Sequence, residues 1–318
     1  MKYIFVIILI GLSLTKEPNE EQDLVAKINS MNTTWKAKNY GNHFRSFFIM
    51  NKYYNPDNSD IRIKEYPYTN DLPKQYDLRK IYTNCETVTE IRDQANCGSC
   101  WAFGSTEVMS DRLCIHSKGK LQTRVSPLYV LSCCKYCGNG CLGGYHEKAY
   151  EYWKNNGIPS GGLYGDKKSC QPYHLPECDD HPHKCVDYKE TPKCSQKCIP
   201  EFKKSLNEDK SYGKDAYRLS GENNMMQEII KEGPISVLFD IFGDFQEYSS
   251  GIYQHVAGKF KGRHVVKVLG WGEENGIKYW ICANSWNPRW GESGYFRIIK
   301  GKNECNFERW AAAGIPKL

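Results

Sequence analysis

An α+β fold in one or two lobes is predicted, with helices in the earlier part of the chain and strands in the last. Three observations carry this. Apolar residues recur at helical spacing three times before residue 235, over 101–113, 145–156 and 222–232. Beyond it the pattern turns to short β-branched and aromatic runs at 265–269, 278–283 and 295–299, the first two separated by the hairpin signal Asn275-Gly276. The length of 318 residues and the 40% hydrophobic content suffice for a sizeable core.

Residues 4–14 are an apolar run behind Lys2, too short to span a bilayer, with the small residues Ser13 and Thr15 near a plausible cleavage point. Residues 1–15 therefore read as a secretory signal peptide, which places the chain in the secretory pathway with the lysosome or the extracellular space as its destination. No other stretch is long and apolar enough to cross a membrane. Residues 16–71 are polar and free of cysteine, and Asn32-Thr33-Thr34 is a glycosylation sequon. Cysteines begin at Cys85 and run to Cys305, so a separable leader precedes a disulfide-bonded body over 72–318. The net charge of +6 is interspersed with acids, which points away from a nucleic-acid face.

The chain has 15 cysteines, so an even set can form disulfides and at least one thiol is left free. Cys134-x-x-Cys137 and Cys194-x-x-x-Cys198 have metal-like spacing, but an oxidising compartment favours disulfides, and no metal is expected. Gly138-Asn139-Gly140-Cys141-Leu142-Gly143 matches a dinucleotide fingerprint formally. No strand precedes it, so it reads as a glycine loop, and no cofactor is expected.

The first helix opens in Gln94-Ala95-Asn96-Cys97-Gly98-Ser99-Cys100-Trp101. Gly98 and Ser99 break the preceding chain, Ser99 suits the N-cap, and Trp101, Ser105, Val108, Met109, Arg112 and Leu113 form one mostly apolar stripe. Cys100 then sits in the first turn, where unpaired amides and the helix dipole favour a thiolate. The second helix stops at Gly157 and the third at Gly233-Pro234. In the strand region, His264 and Asn284 lie ten residues either side of position 274. The hairpin brings them nearly opposite one another, within a residue or two of register. A cysteine nucleophile needs a base, and the base needs an orienting group; Cys100, His264 and Asn284 can supply these roles.

The stretch from Gln94 to Trp101 resembles the nucleophile motif of papain-like cysteine peptidases. Asn284-Ser285-Trp286 is similar to that family's Asn motif, and Gly270-Trp271-Gly272 stands where the family has it. The resemblance extends from about residue 72 to the C-terminus. The subfamily resembled is cathepsin B, on Cys133-Cys134, Cys141-Leu142-Gly143-Gly144-Tyr145, Ser160-Gly161-Gly162-Leu163-Tyr164, Thr191-Pro192-Lys193-Cys194, Gly251-Ile252-Tyr253-Gln254-His255 and Ala313-Gly314-Ile315-Pro316. Asn32-Thr33-Thr34-Trp35 resembles its prosegment. His264 and Asn284 lie 164 and 184 residues after Cys100, beyond the family's about 130–150, so an insertion is implied, and the cysteine-dense stretch 170–198 is its place.

The resemblance implies a two-lobe fold: a helical lobe carrying Cys100, a β-barrel-like lobe carrying His264 and Asn284, and a cleft between them. It implies a zymogen with residues 16–71 as an inhibitory propeptide, protein and peptide substrates, and cystatin-type inhibitors. Gln94 would join the Cys100 amide as oxyanion hole. Gly143, Gly144 and Tyr145 would receive substrate backbone, and Trp286 would shield the His–Asn hydrogen bond. The implied disulfides are Cys85–Cys114, Cys97–Cys141, Cys133–Cys194, Cys134–Cys137, Cys170–Cys198 and Cys178–Cys185, leaving Cys100, Cys282 and Cys305. Cys282 reads as a buried small hydrophobe.

Departures from the family cluster at the cleft. Arg263 replaces a Gly before the histidine and would set a cation beside the nucleophile. Val265 replaces a small residue after the histidine, His146 replaces a Pro, and Leu238 and Trp310 replace an Ala and a Glu in the pocket for P2, the second residue before the scissile bond. In the implied occluding loop, Pro182 separates His181 from His183, the candidates for binding a substrate's C-terminal carboxylate. Two readings follow: an active endopeptidase with altered specificity and weak peptidyl-dipeptidase activity, or a peptide-binding homologue impaired by its cleft substitutions.

Overall fold

The computed structural model describes residues 20–41, 59–177 and 190–318. The expected signal peptide and the loop residues Cys178, His181, His183 and Cys185 lie outside these. In chain order the elements are α1 (Glu20–Ser30), β1 (Trp35–Ala37), β2 (Tyr76–Asp77), α2 (Leu78–Ile81), α3 (Cys100–His116), α4 (Pro127–Cys133), α5 (His146–Asn156), α6 (Leu206–Asp209), β3 (Tyr212–Leu219), α7 (Glu222–Glu232), β4 (Ile235–Phe242), β5 (Tyr248–Tyr253), β6 (Phe260–Glu274), β7 (Ile277–Ala283), β8 (Tyr295–Ile299) and β9 (Trp310–Lys317). The strands form one sheet in the order β1-β5-β8-β7-β6-β4-β9-β3, with β2 added on β6. The path is open, so the α+β class holds but the sheet does not close into a barrel.

The hairpin forms where Asn275-Gly276 asks for it. Both turn residues have positive φ, 50° and 79°, as a two-residue primed turn requires. The ladder pairs Glu274 with Ile277 and slips by one residue between Val268 and Gly270. The turn lies at 275–276 rather than at 274, and the bulge carries Asn284 one residue closer to His264, so the two end diagonal rather than directly opposite, still within side-chain reach.

α3 is buried along its whole length from Cys100 to Cys114 and lacks the single apolar stripe expected of it. It packs against α4, α5, β4, β6 and β9, so every face meets protein. Its hydroxyls satisfy themselves on the preceding turn: Ser105 donates to Trp101 O at 2.8 Å, Thr106 to Ala102 O at 2.8 Å and Ser110 to Thr106 O at 2.6 Å. Ser99 stands at the N-cap, yet its hydroxyl makes no capping bond; it faces Cys97 O and the Tyr173 hydroxyl instead. One turn beyond Cys100, a Cβ on Gly104 would come 2.7 Å from Val265 Cγ1, so the glycine lets β6 approach α3 closely.

A buried charged layer fixes the same contact. Lys267 on β6 donates to Asp111 on α3 at 2.8 Å, both fully buried, and to Thr87 O at 3.1 Å. Glu107 lies in this layer. Burial pushes its carboxyl up to about 7, with Lys267 and Arg92 acting against the rise and Asp111 and Glu90 adding to it. A carboxyl raised on folding lends full stability below its unfolded value and loses it as pH rises through the folded one. Buried His146 works in the opposite sense, since burial holds it down to about 3. The full-length chain should therefore lose on the order of 3 kcal/mol between about pH 4.5 and 7 through Glu107. Glu107→Gln should remove that loss and leave the His146 contribution unchanged. Denaturant midpoints at pH 5 and 7.5 test this; equal slopes for parent and variant would exclude Glu107 as the cause.

Candidate active site

Cys100 is the first residue of α3 and is fully buried. Backbone amides of Val265, Trp101 and Cys100 itself bear on the sulfur and stabilise its anion, as the helix N-terminus predicts. Burial outweighs them and pushes the thiol up to about 12, so the expected low pKa is not met in this full-length form. The contact with the Val265 amide places the sulfur beside the residue that follows His264.

His264 is fully buried, and its Nε2 donates to Asn284 Oδ1 at 2.7 Å. This bond leaves Nδ1 as the basic nitrogen. Burial holds the imidazole down to about 4, although Asn284 favours its charged form. Burial thus works against the charged form of both groups here. Asn284 Oδ1 also accepts from Ser285 N at 2.8 Å, which fixes its orientation. The Trp286 ring lies 4.7 Å from the imidazole and meets Phe245 and Trp290 in turn, so an aromatic wall covers the His264–Asn284 bond.

Gln94 is fully buried, and four bonds hold it in place. Its amide N donates to Ser285 O at 2.9 Å, and its carbonyl accepts from Tyr173 Oη at 2.8 Å. Its Nε2 donates to Cys97 O at 2.9 Å, and its Oε1 accepts from Ser285 Oγ at 2.7 Å. Sequence reading missed Ser285 and Tyr173. Ser285 could have been found from its place between Asn284 and Trp286; Tyr173 carries no such signal.

The glycine loop packs against the residue after the cysteine. A Cβ on Gly144 would lie 2.5 Å from the Trp101 ring. Asn139 N donates to Gly143 O and Tyr145 N to Cys137 O, each at 2.7 Å, around the facing pair Gly138 and Gly144. In such a pair the Gly144 amide and carbonyl point away from the ladder. Gly143 has φ of 109°, in the region that favours glycine.

Leu238 lies opposite both Val265 and Trp310, so three of the four substituted cleft residues form one cross-strand row. Leu238 and Val265 are fully buried. Trp310 lines a cavity of about 170 Å³ with Ile63, His146, Glu147, Arg218 and Arg309 among others. Arg263 does not turn toward the sulfur as expected. Its Nε donates to Asp240 at 2.8 Å, and its guanidinium stacks on Trp310 at 4.7 Å. Arg309 lies over the same ring at 5.1 Å.

Among the described residues five disulfides are formed, Cys85–Cys114, Cys97–Cys141, Cys133–Cys194, Cys134–Cys137 and Cys170–Cys198; the expected Cys178–Cys185 lies outside them. Cys97–Cys141 joins the loop before Cys100 to the glycine loop. Among the described residues Cys100, Cys282 and Cys305 are free, and Cys282 is fully buried between Val268 and Phe296 in the sheet.

Residues 72–315 match the profile of the papain family cysteine proteases. The chain is 44% identical to cathepsin B-like cysteine proteinase 6 of Caenorhabditis elegans over 256 residues, 78% of this chain and 68% of that one. It is 45% identical to cathepsin B-like cysteine proteinase 1 of Ostertagia ostertagi over 250 residues, 77% and 73% of the two chains. Its structure is similar to that of proCathepsin B S9 from Trypanosoma congolense, with a TM-score of 0.80 at 34% identity over 93% of this chain and 98% of that one. Digestive procathepsin L 3 of Tenebrio molitor shares the fold, with a TM-score of 0.66 at 23% identity over 94% and 89%.

Proposed function

The chain belongs to the papain family of cysteine proteases, in its cathepsin B-like group, and on that premise we propose that it hydrolyses peptide bonds as an endopeptidase through Cys100. The observation that carries this reading is the His264–Asn284 bond of 2.7 Å beside the thiol of a helix-initial cysteine. With substrate bound, His264 Nδ1 takes the Cys100 proton and the thiolate attacks the scissile carbonyl. The second Nε2 hydrogen of Gln94 and the Cys100 amide receive the developing oxyanion. The amine leaves with the proton from the imidazolium, and a thioester remains. Water, deprotonated by His264, then releases the acid and the free thiol. Cystatin-type inhibitors are the expected macromolecular antagonists.

We read residues 1–15 as a signal peptide and 16–71 as a propeptide removed near Leu72, on the route to a lysosome or the extracellular space. Asn32 is exposed between α1 and β1, which suits a glycosylated asparagine. Among the described residues no helix is long and apolar enough to cross a membrane. The impaired-homologue reading rests on the cleft substitutions as a group; the engagement of Arg263 with Asp240 and Trp310 argues only against that residue's share in it, the cation beside the nucleophile.

Specificity follows from the row around Trp310. Arg263 and Arg309 flank the ring, and Arg218 shares the cavity with Glu147, so a P2 cation meets more like charge than unlike. A quenched peptide series should be cut at least about 10-fold faster with Val or Leu than with Arg at P2. Amidated and free C-termini should be cut at similar rates, because His181 and His183, split by Pro182, align at most one donor on a carboxylate. Trp310→Glu alone should restore little Arg cleavage, since Arg263 and Arg309 would pair with the new acid. A winning P2 Arg, or a free acid cut much faster until His181→Ala/His183→Ala removes the advantage, would overturn this specificity.

A further inference from the structure

The leader's last described stretch does more than connect. Residues 61–64 lie along β3, which ends the sheet: Lys64 N donates to Arg218 O at 2.8 Å and Arg218 N to Arg62 O at 2.9 Å. This is strand addition to a free edge, a common mode of peptide recognition. Side chains are read as well as backbone. Arg62 pairs with Asp215 and lies over the Tyr217 ring at 5.2 Å. Lys64 Nζ donates to Glu228 Oε2 at 2.8 Å, sits 3.8 Å from Glu232 and lies 4.5 Å over Tyr217. Tyr66 Oη donates to Glu228 at 2.7 Å while Lys231 covers its ring at 3.9 Å. One face of α7 completes the reading: Asn224 Oδ1 accepts from Tyr66 N at 2.9 Å, Gln227 Nε2 donates to Pro67 O at 2.8 Å and Asn223 Nδ2 to Thr69 O at 2.7 Å.

Glu228 is the base of this seat. Its side chain is fully buried and takes bonds from Arg112 at 2.9 Å and from Tyr217 on the enzyme side, with Lys64 and Tyr66 on the leader side. The two enzyme-side donors stay when the leader goes, so the carboxylate keeps its position and lacks only the leader's cation and phenol. β3 and α7 carry none of Cys100, His264, Asn284 or Gln94. Yet Ile63 lines the same cavity as Trp310 and His146, which places the seat next to the expected substrate pocket.

We propose that, once the leader is removed, the edge of β3 and the face of α7 form a second peptide-binding site for an extended substrate segment carrying Arg, Lys and Tyr at alternate positions. Charge complementarity argues for this occupant: Asp215, Glu228 and Glu232 face Arg62 and Lys64, and the phenol is bonded at its hydroxyl and covered at its ring. The proposal rests on the leader being cut away near Leu72 but does not need Cys100 to be the nucleophile.

The test uses full-length Cys100→Ala protein, cut ahead of Leu72 by an added protease and freed of its leader. A fluorescein-labelled peptide with Arg, Lys and Tyr at the leader's spacing, and otherwise unrelated to it, is titrated by anisotropy. It should bind and be displaced by an unlabelled peptide of residues 59–71. Lys→Ala or Tyr→Phe in the labelled peptide should weaken binding at least tenfold, with no change to the protein's folding. Glu228→Gln in the protein should do the same; it also lowers the melting temperature, because Arg112 loses its buried partner, so the peptide-side changes carry the test. Binding by the 59–71 peptide alone would make the seat specific to the leader and overturn the proposal, as would binding by neither peptide or indifference to the Lys and Tyr changes. Because hydrolysis is not the readout, these outcomes stay separate from failure of the peptidase reading.

Discussion

Cys100→Ala should leave a folded protein whose peptide hydrolysis has fallen by at least about 10⁴-fold, the scale seen when a covalent nucleophile is removed. The stability cost should be small. Cys100 is in no disulfide, and α3 is held by the Asp111–Lys267 and Arg112–Glu228 pairs, by Gly104 against Val265, and by Cys85–Cys114. The competing thiols are poorly placed. Burial raises the Cys282 thiol well above its ordinary value, with no histidine among the causes acting on it. Burial also raises Cys305, and Glu304 and Asp244 disfavour its thiolate further. Labelling by a thiol-directed epoxide, read by mass spectrometry of the leader-free form, should fall on Cys100 alone and vanish in the variant. Labelling that moves to Cys282 or Cys305 would falsify the assignment. In the uncut chain the same reagent should react slowly, because the Cys100 thiol is buried and pushed up to about 12.

What was legible in the sequence was local. α5 and α7 end where Gly157 and Gly233-Pro234 stop them, and the hairpin turns at Asn275-Gly276 because both residues tolerate positive φ. That turn brings the strands of His264 and Asn284 together, but the bulge after Val268, which nothing in the chain marks, is what sets the two side chains on one face. α3 read as an amphipathic stripe because Thr106, Glu107, Ser110 and Asp111 count as polar, whereas tertiary partners and back-bonding bury them all. β1 to β5 and β9 were passed over. β9 contains Ala311, Ala312, Ala313 and Gly314, which favour no strand on their own, and only pairing with β3 and β4 makes them one. At the site, Cys100, His264, Asn284 and Gln94 were legible from their motifs. The orientation of Arg263 was not, because its partners Asp240 and Trp310 lie on two other strands.

Full-length protein should be silent toward a small peptide substrate, the form starting near Leu72 active, and full-length Trp35→Ala partly active before any cut is made. The leader is anchored on both sides of residues 42–58. On one side, residues 59–71 dock on β3 and α7. On the other, β1 pairs with β5, Lys38 N donates to Glu247 O at 2.7 Å, and Tyr40 Oη donates to Tyr248 O at 3.0 Å. Trp35 dominates this second anchor. It is 1% exposed, donates from Nε1 to Gln254 O at 2.9 Å, and packs 5.2 Å from Tyr253 and 6.1 Å from Tyr248. Removing a buried tryptophan costs about 3–5 kcal/mol, which weakens docking by roughly 10²–10³-fold or more. The residue 59–71 anchor and the covalent tether keep the effective concentration high, so the leak should be partial. Initial rates with intact mass confirmed at each time point separate this leak from self-cutting. A variant as silent as its parent would show that Trp35 does not hold the leader in its inhibitory position. A parent as active as the form starting near Leu72 would remove the zymogen reading altogether.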